Sequence, residues 1–92
     1  MSKSILCNEE DKKCFICGKS GELDTHHCCS GSSNRKNSEE DGLKILLCRD
    51  CHRKVHNNRN IELQIKQLAQ RRWEEEYGDR QDFISRYGKS WL

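Results

Sequence analysis

Residues 1–12 are polar except for Ile5 and Leu6, so a flexible N-terminal tail or an edge segment is expected there. Leu23 to Cys29 alternates weakly between apolar and polar, and its Thr25 and adjacent His26 and His27 suit a strand. Residues 30–42, SGSSNRKNSEEDG, carry turn formers at both ends, and a loop is expected. Leu43 to Leu47 is a short apolar run that reads as a second strand, paired with the first in a hairpin. From Cys48 the pattern becomes helical, because Cys51 and Val55, like His52 and His56, recur at the spacing of one helix face. That helix should end near Asn57 and Asn58. Asn60 can cap the next, whose positions Ile61, Ile65, Leu68, Ala69, Trp73 and Tyr77 keep a helical period until Gly78 stops it. A last short helix fits residues 79–87, with Phe83, Ile84 and Tyr87 inward. The expectation is one small α+β domain over residues 13–92: a β-hairpin plus helix as its core at 14–57, followed by one or two C-terminal helices within 60–92.

Composition makes the fold's support a question. Only 33% of the 92 residues are hydrophobic, which leaves little apolar surface to offset the conformational entropy of folding. Seven cysteines suggest the missing support, either disulfides or a metal. Metal is favoured by the odd count, by two CxxC pairs and by flanking histidines, and Met1 to Leu6 is far too short for a secretory signal. A reducing, cytoplasmic setting is therefore expected, with no membrane span.

Cys14xxCys17 and Cys48xxCys51 form two knuckles, and four thiolates match the tetrahedral preference of Zn²⁺. Gly18 suits the tight turn after the first knuckle. Four cysteines would close the coordination sphere and make this zinc structural; the bland alternative is chance burial of cysteines. Cys7, Cys28 and Cys29 are left over as packed or free thiols, although Cys7 is near enough to Cys14 to replace it as a ligand. Net charge is +2, and four thiolates with one Zn²⁺ would bring it to zero, so any phosphate-binding footprint must be local. Candidates are Arg35 and Lys36, Arg49, Arg53 and Lys54, and Arg59, each also readable as an ordinary solvated charge.

All four histidines fall in two clusters. Neighbours on a strand face opposite ways, so His26 and His27 should do different jobs, whereas His52 and His56 share a helix face and can grip one ion. A purely structural second zinc is the competing account, with Cys28 or Cys29 closing the fourth position. Trp73, Tyr77, Phe83, Tyr87 and Trp91 could invite base stacking, but helical spacing assigns the first four to the core and leaves Trp91 open.

The order CxxC, then a pair ending in His, then a short strand running into LCxxCHxxxH resembles the HNH (ββα-metal, His-Me finger) endonucleases over roughly residues 14–56. LLCRDCHRKVH is the most specific stretch. The segment HHCCSGSSNRKNSEEDGLKILLC further resembles small phage- or prophage-encoded members with a four-cysteine zinc site, recombination-enhancing nucleases among them. The resemblance implies a hairpin and helix around one catalytic divalent cation, which could be Mg²⁺, Mn²⁺, Zn²⁺ or Ni²⁺. It implies that His26, His52 and His56 ligate that cation, that His27 is the general base, and that DNA is cut to 5′-phosphate and 3′-hydroxyl ends. Arg35, Lys36, Arg53 and Lys54 would meet flanking phosphates. A monomer or homodimer, with a recombination or packaging protein as possible partner, is compatible with the family. The family's central asparagine would fall near Leu43, so Asn34, Asn37 or a backbone carbonyl would have to orient His27 instead. The rival readings are a non-catalytic zinc module that binds nucleic acid or a protein, and a thiol redox sensor.

Overall fold

The computed structural model describes residues 3–29 and 32–92 and is a small α+β fold, with one two-stranded antiparallel sheet and four α-helices among those residues. Strand β1 spans Leu23–His27 and pairs with β2, Lys44–Cys48, in a register that sets Leu23 opposite Cys48, His26 opposite Ile45 and His27 opposite Lys44. Both strands are shifted or trimmed slightly from the expected limits, and the backbone bond from Cys28 N to Leu43 O, 2.9 Å, carries the pairing one step past them.

Helix α1, Ser32–Asp41, replaces the expected loop, while Ser30 and Gly31 lie outside the described residues. No apolar stripe announces this helix, because polar side chains hold it in place. Ser38 is fully buried and donates to Cys29 O at 3.1 Å. Asn34 and Asn37 donate to Tyr87 O and Arg86 O at 3.1 and 3.0 Å. Asp41 accepts from Trp73 Nε1 and Tyr87 OH, each at 2.8 Å, and from Arg86 Nε at 2.6 Å. Satisfied tertiary hydrogen bonds thus offset the poor helix propensity of a Ser- and Asn-rich segment.

Gly42 ends the connection with φ +77°, and a Cβ there would stand 2.2 Å from Lys3 O, so a side chain is excluded by both conformation and space. The N-terminal segment, expected to be a tail or an edge, lies along this turn. Ile5 N–H bonds Gly42 O at 2.9 Å, Arg72 Nε donates to Ile5 O at 3.0 Å, and a short 3₁₀ helix forms at Glu9–Asp11.

Helix α2, Arg49–Asn57, follows β2 directly, and α3, Arg59–Glu76, begins after a single residue. Asn58, rather than Asn60, caps α3: its side chain accepts from Asn60 N and Ile61 N at 3.0 and 3.2 Å. Helix α4, Arg80–Tyr87, opens with a reciprocal Asp79–Asp82 capping box and closes at Gly88. The core joins Leu43, Ile45 and Leu47 to Val55, Ile65, Ala69, Trp73, Phe83 and Tyr87. Trp91 settles on it edge-on to Phe83 at 5.8 Å. Tyr77 departs from expectation, since it is 51% exposed, although its ring lies 5.7 Å from that of Trp73 and its hydroxyl donates to Asp41 O at 2.7 Å. Among the described residues no helix is long and apolar enough to cross a membrane.

Candidate metal centres

The first knuckle is shaped by its own backbone. Cys14 N–H bonds Lys19 O and Gly18 N–H bonds Cys14 O, both at 2.9 Å, while Phe15 N–H reaches Leu46 O at 2.7 Å and ties the knuckle to β2. Cys48 ends β2 and Cys51 lies in the first turn of α2, so the strand-to-helix junction supplies the second pair. All four sulfurs lie within 4.8 Å of one another. The Cys17–Cys48 separation is 3.8 Å, too long for a disulfide. A tetrahedral ion with metal–sulfur bonds of about 2.3 Å requires an edge of roughly 3.8 Å, so the donor set fits such an ion. Four cysteines close together could therefore hold a metal such as zinc.

The protons in this cluster are unevenly held. Burial opposes ionisation of Cys14, but backbone N–H groups of Cys17, Cys48 and Ile16 outweigh it and bring the thiol from 9.0 down to about 6. Cys51 is pushed up to about 12 by burial and by its three sulfur neighbours. Cys7, Cys28 and Cys29 stand outside the cluster. Cys28 and Cys29 are buried in the core, and burial raises both thiols, Cys29 to about 12.

A second group forms on the other side of Cys51. Alternation along β1 places Asp24 and His26 on one sheet face and His27 on the other. His52 and His56, one turn apart on α2, meet His26 there, and one ring nitrogen from each lies within 4.8 Å of the other two. Ring centroids are 5.4 Å apart for His26–His52, 5.7 Å for His26–His56 and 4.6 Å for His52–His56. The Nε2 atoms of His52 and His56 are 3.1 Å apart, near the edge of roughly 3.4 Å that metal–nitrogen bonds of about 2.05 Å require. His26 is buried, and burial, aided by repulsion from His52 and His56, lowers its pKa to about 4, so its ring is neutral and keeps a lone pair. Asp24 Oδ2 lies 3.2 Å from His52 Nδ1, which assigns the proton to Nδ1 and leaves Nε2 as donor atom. Neither Cys28 nor Cys29 joins this group.

His27 faces a different set of residues. Its Nε2 lies 3.1 Å from Glu39 Oε1, and the other Glu39 oxygen accepts from Lys44 Nζ. Lys44 is only 3% exposed, with Glu9 Oε1 a further 3.8 Å from its ammonium. The Lys44 hydrogen bond first, and that of His27 second, hold the Glu39 carboxyl below the usual carboxylate range. A cleft of about 350 Å³ lies here, lined by His27, Arg35, Lys36 and Glu39. Arg53 and Lys54 are exposed on α2.

Asn34 and Asn37, expected as candidates to orient His27, are instead bonded to α4 carbonyls, and the side chain that meets His27 is Glu39. Sequence reasoning missed Asp24, Glu39 and Lys44. Asp24 was findable, since it stands two residues before His26 and must share its strand face. Glu39 was hidden by reading α1 as a loop. Compared with models of protein families, with curated proteins and with solved structures, the chain matches none, so the two clusters and the His27 cleft carry the functional reading.

Proposed function

We propose that this chain is a zinc-stapled, divalent-cation-dependent nuclease of the HNH kind that hydrolyses phosphodiester bonds in DNA. The observation that carries the reading is the convergence of His26 from β1 with His52 and His56 from α2, within 4.8 Å, beside a separate four-cysteine cluster that contains the residue preceding His52. A four-cysteine set is complete for zinc, whereas three imidazoles leave room for an outside ligand.

In this reading Cys14, Cys17, Cys48 and Cys51 hold a structural zinc that fixes α2 against the hairpin. His26, His52 and His56 hold the catalytic cation, and Asp24 keeps His52 in the tautomer that offers Nε2. Bound there, a divalent cation supplies Lewis-acid stabilisation of the charge that builds on the phosphate oxygens. His27, the strand neighbour of His26 on the opposite sheet face, is the proposed base: it accepts a proton from the attacking water as a new phosphorus–oxygen bond forms, and the bond to the 3′ oxygen breaks, that oxygen taking a proton from solvent. Arg35 and Lys36 line the same cleft as His27 and bind phosphates flanking the scissile one, while Arg53 and Lys54 extend the cationic surface along α2.

The test is supercoiled-plasmid nicking with Mg²⁺ or Mn²⁺, alongside metal content per chain. Wild-type protein should nick, and His27→Ala should not, while remaining folded and keeping its thiolate-bound zinc. Undiminished nicking by His27→Ala removes the mechanism. Two firmly held zinc ions per chain, with DNA retarded in a gel and never cut, would instead identify a binding module.

A further inference from the structure

Lys44 is buried, at 3% exposure, although its side chain ends in a charge. A lysine ammonium loses solvation when buried and is tolerated only where a partner compensates it. Here the closest partner is Glu39 on α1, with the Glu9 carboxylate farther off at 3.8 Å. Lys44 also stands directly across the sheet from His27. Residues opposite each other in a ladder share a face, so ammonium and imidazole project to the same side and are bridged by one carboxylate. Glu39 has two oxygens and each has its own donor: Oε2 takes Lys44 Nζ, and Oε1 is left for His27 Nε2.

We infer that Glu39, clamped by Lys44, is a positioning residue that locks His27 in its Nε2–H tautomer, with Nδ1 as the free basic atom. This deepens the nuclease reading and rests on it only for its catalytic meaning. An ammonium can donate but never accept, so Lys44 commits one carboxylate oxygen. The other oxygen can only accept, which obliges neutral His27 to present Nε2–H to it. Nδ1 then holds the lone pair that receives the proton of the attacking water. The carboxylate stays in contact with the resulting imidazolium and stabilises its charge, with no proton passed to Glu39 itself.

The clamp gives an inversion that a merely structural salt bridge would not. In Glu39→Gln the amide has one oxygen and one NH₂ group. An amide NH₂ cannot face the ammonium, and Glu9 at 3.8 Å is beyond hydrogen-bond reach, so the oxygen turns to Lys44 and the NH₂ group faces His27. It then donates to Nε2, which forces His27 into the Nδ1–H form. Removing the ammonium as well, in Glu39→Gln with Lys44→Met, frees the amide to turn its oxygen back toward His27.

Ring tautomers can be read by long-range ¹⁵N–¹H correlation on full-length protein with ¹⁵N-labelled histidine, zinc-loaded and without DNA. Wild type should show His27 protonated on Nε2, Glu39→Gln should show it protonated on Nδ1, and the double variant should return it toward Nε2–H. In the nicking assay Glu39→Gln should lower kcat on the order of 10²- to 10⁴-fold with KM and metal content unchanged, the range set by lost orienting groups and by a wrong tautomer. The double variant should recover part of that loss. An Nδ1–H ring in wild type overturns the inference without any variant, and so does a tautomer that ignores Glu39→Gln. Inversion in a protein that never nicks DNA upholds the clamp and sinks the nuclease. Nicking with a His27 ring indifferent to Glu39 does the reverse.

Discussion

Removing the Asp24 carboxylate should weaken binding of a second metal ion far more than it weakens the fold. Asp24 Oδ2 and His52 Nδ1 are 3.2 Å apart, with the two side chains 46% and 25% exposed. A carboxylate hydrogen bond this accessible to solvent contributes about 0.2–1 kcal/mol to folding, as exposed charged pairs do. For a domain of this size that shifts the melting temperature by no more than roughly 4–8 °C. The same contact also decides which His52 nitrogen carries the proton and where its ring points. Groups that orient a metal-bound histidine in this way typically govern 10- to 100-fold in affinity, or about 1.4–2.7 kcal/mol. The experiment loads the thiolate cluster with one equivalent of Zn²⁺ and then titrates Ni²⁺ calorimetrically into wild type, Asp24→Ala and Asp24→Asn. Asp24→Ala should raise the second Kd by roughly 10- to 100-fold. Asp24→Asn should lose less, because its carbonyl oxygen can still accept from Nδ1–H. A second Kd within about threefold of wild type in a folded Asp24→Ala protein would refute both the orienting role and the assignment of Nε2 as a ligand atom.

Removing the staple should abolish the fold. Structural zinc contributes apparent free energies of about 10–16 kcal/mol, comparable with the roughly 5–15 kcal/mol that stabilises a whole domain. Cys48→Ser, or chelation of the wild type, should therefore abolish the cooperative thermal transition seen by circular dichroism, and a variant that keeps it contradicts the staple. Asp41→Ala leaves the Trp73 indole N–H and the Tyr87 hydroxyl without their acceptor and takes from the Arg86 guanidinium its closest one, Glu40 remaining at 3.5 Å, and it should cost roughly 3–5 kcal/mol in urea unfolding. A loss under about 1 kcal/mol would mean that α1 is held by other means. Replacing Arg35 and Lys36 together by Ala should flatten the salt dependence of duplex DNA binding by roughly 2 in log–log slope, read by fluorescence anisotropy over a NaCl series. An unchanged slope would place the DNA elsewhere.

Much of the candidate site was legible before any coordinates, wherever one short-range regularity carried the information. The CxxC spacings bring Cys14 to Cys17 and Cys48 to Cys51 through local turns, and the four-residue step brings His52 to His56 on one helix face. Strand alternation likewise separates His26 from His27, and the structure keeps them on opposite faces. The hairpin and the last three helices were readable for the same reason, since periods of two and of about 3.6 belong to the backbone itself.

Helix α1 was not readable, because it has no apolar period and is held by hydrogen bonds from Ser38, Asn34, Asn37 and Asp41 to partners far along the chain. Tyr77 kept the helical period yet fell at the margin of the packed face, so it stays half exposed while its ring meets Trp73 and its hydroxyl reaches Asp41 O. Local sequence therefore determined which residues share a face, and hence the two cysteine pairs and the His52–His56 pair, while docking of the elements joined those pairs and added His26. Only tertiary packing decided which polar groups meet across elements: Asp24 with His52, Glu39 with both His27 and Lys44, and Asp41 with the C-terminal helices. Covalent geometry sets the first at a range of a few residues, whereas the second depends on how whole elements dock, and a polar side chain's spacing along the chain does not encode its distant partner.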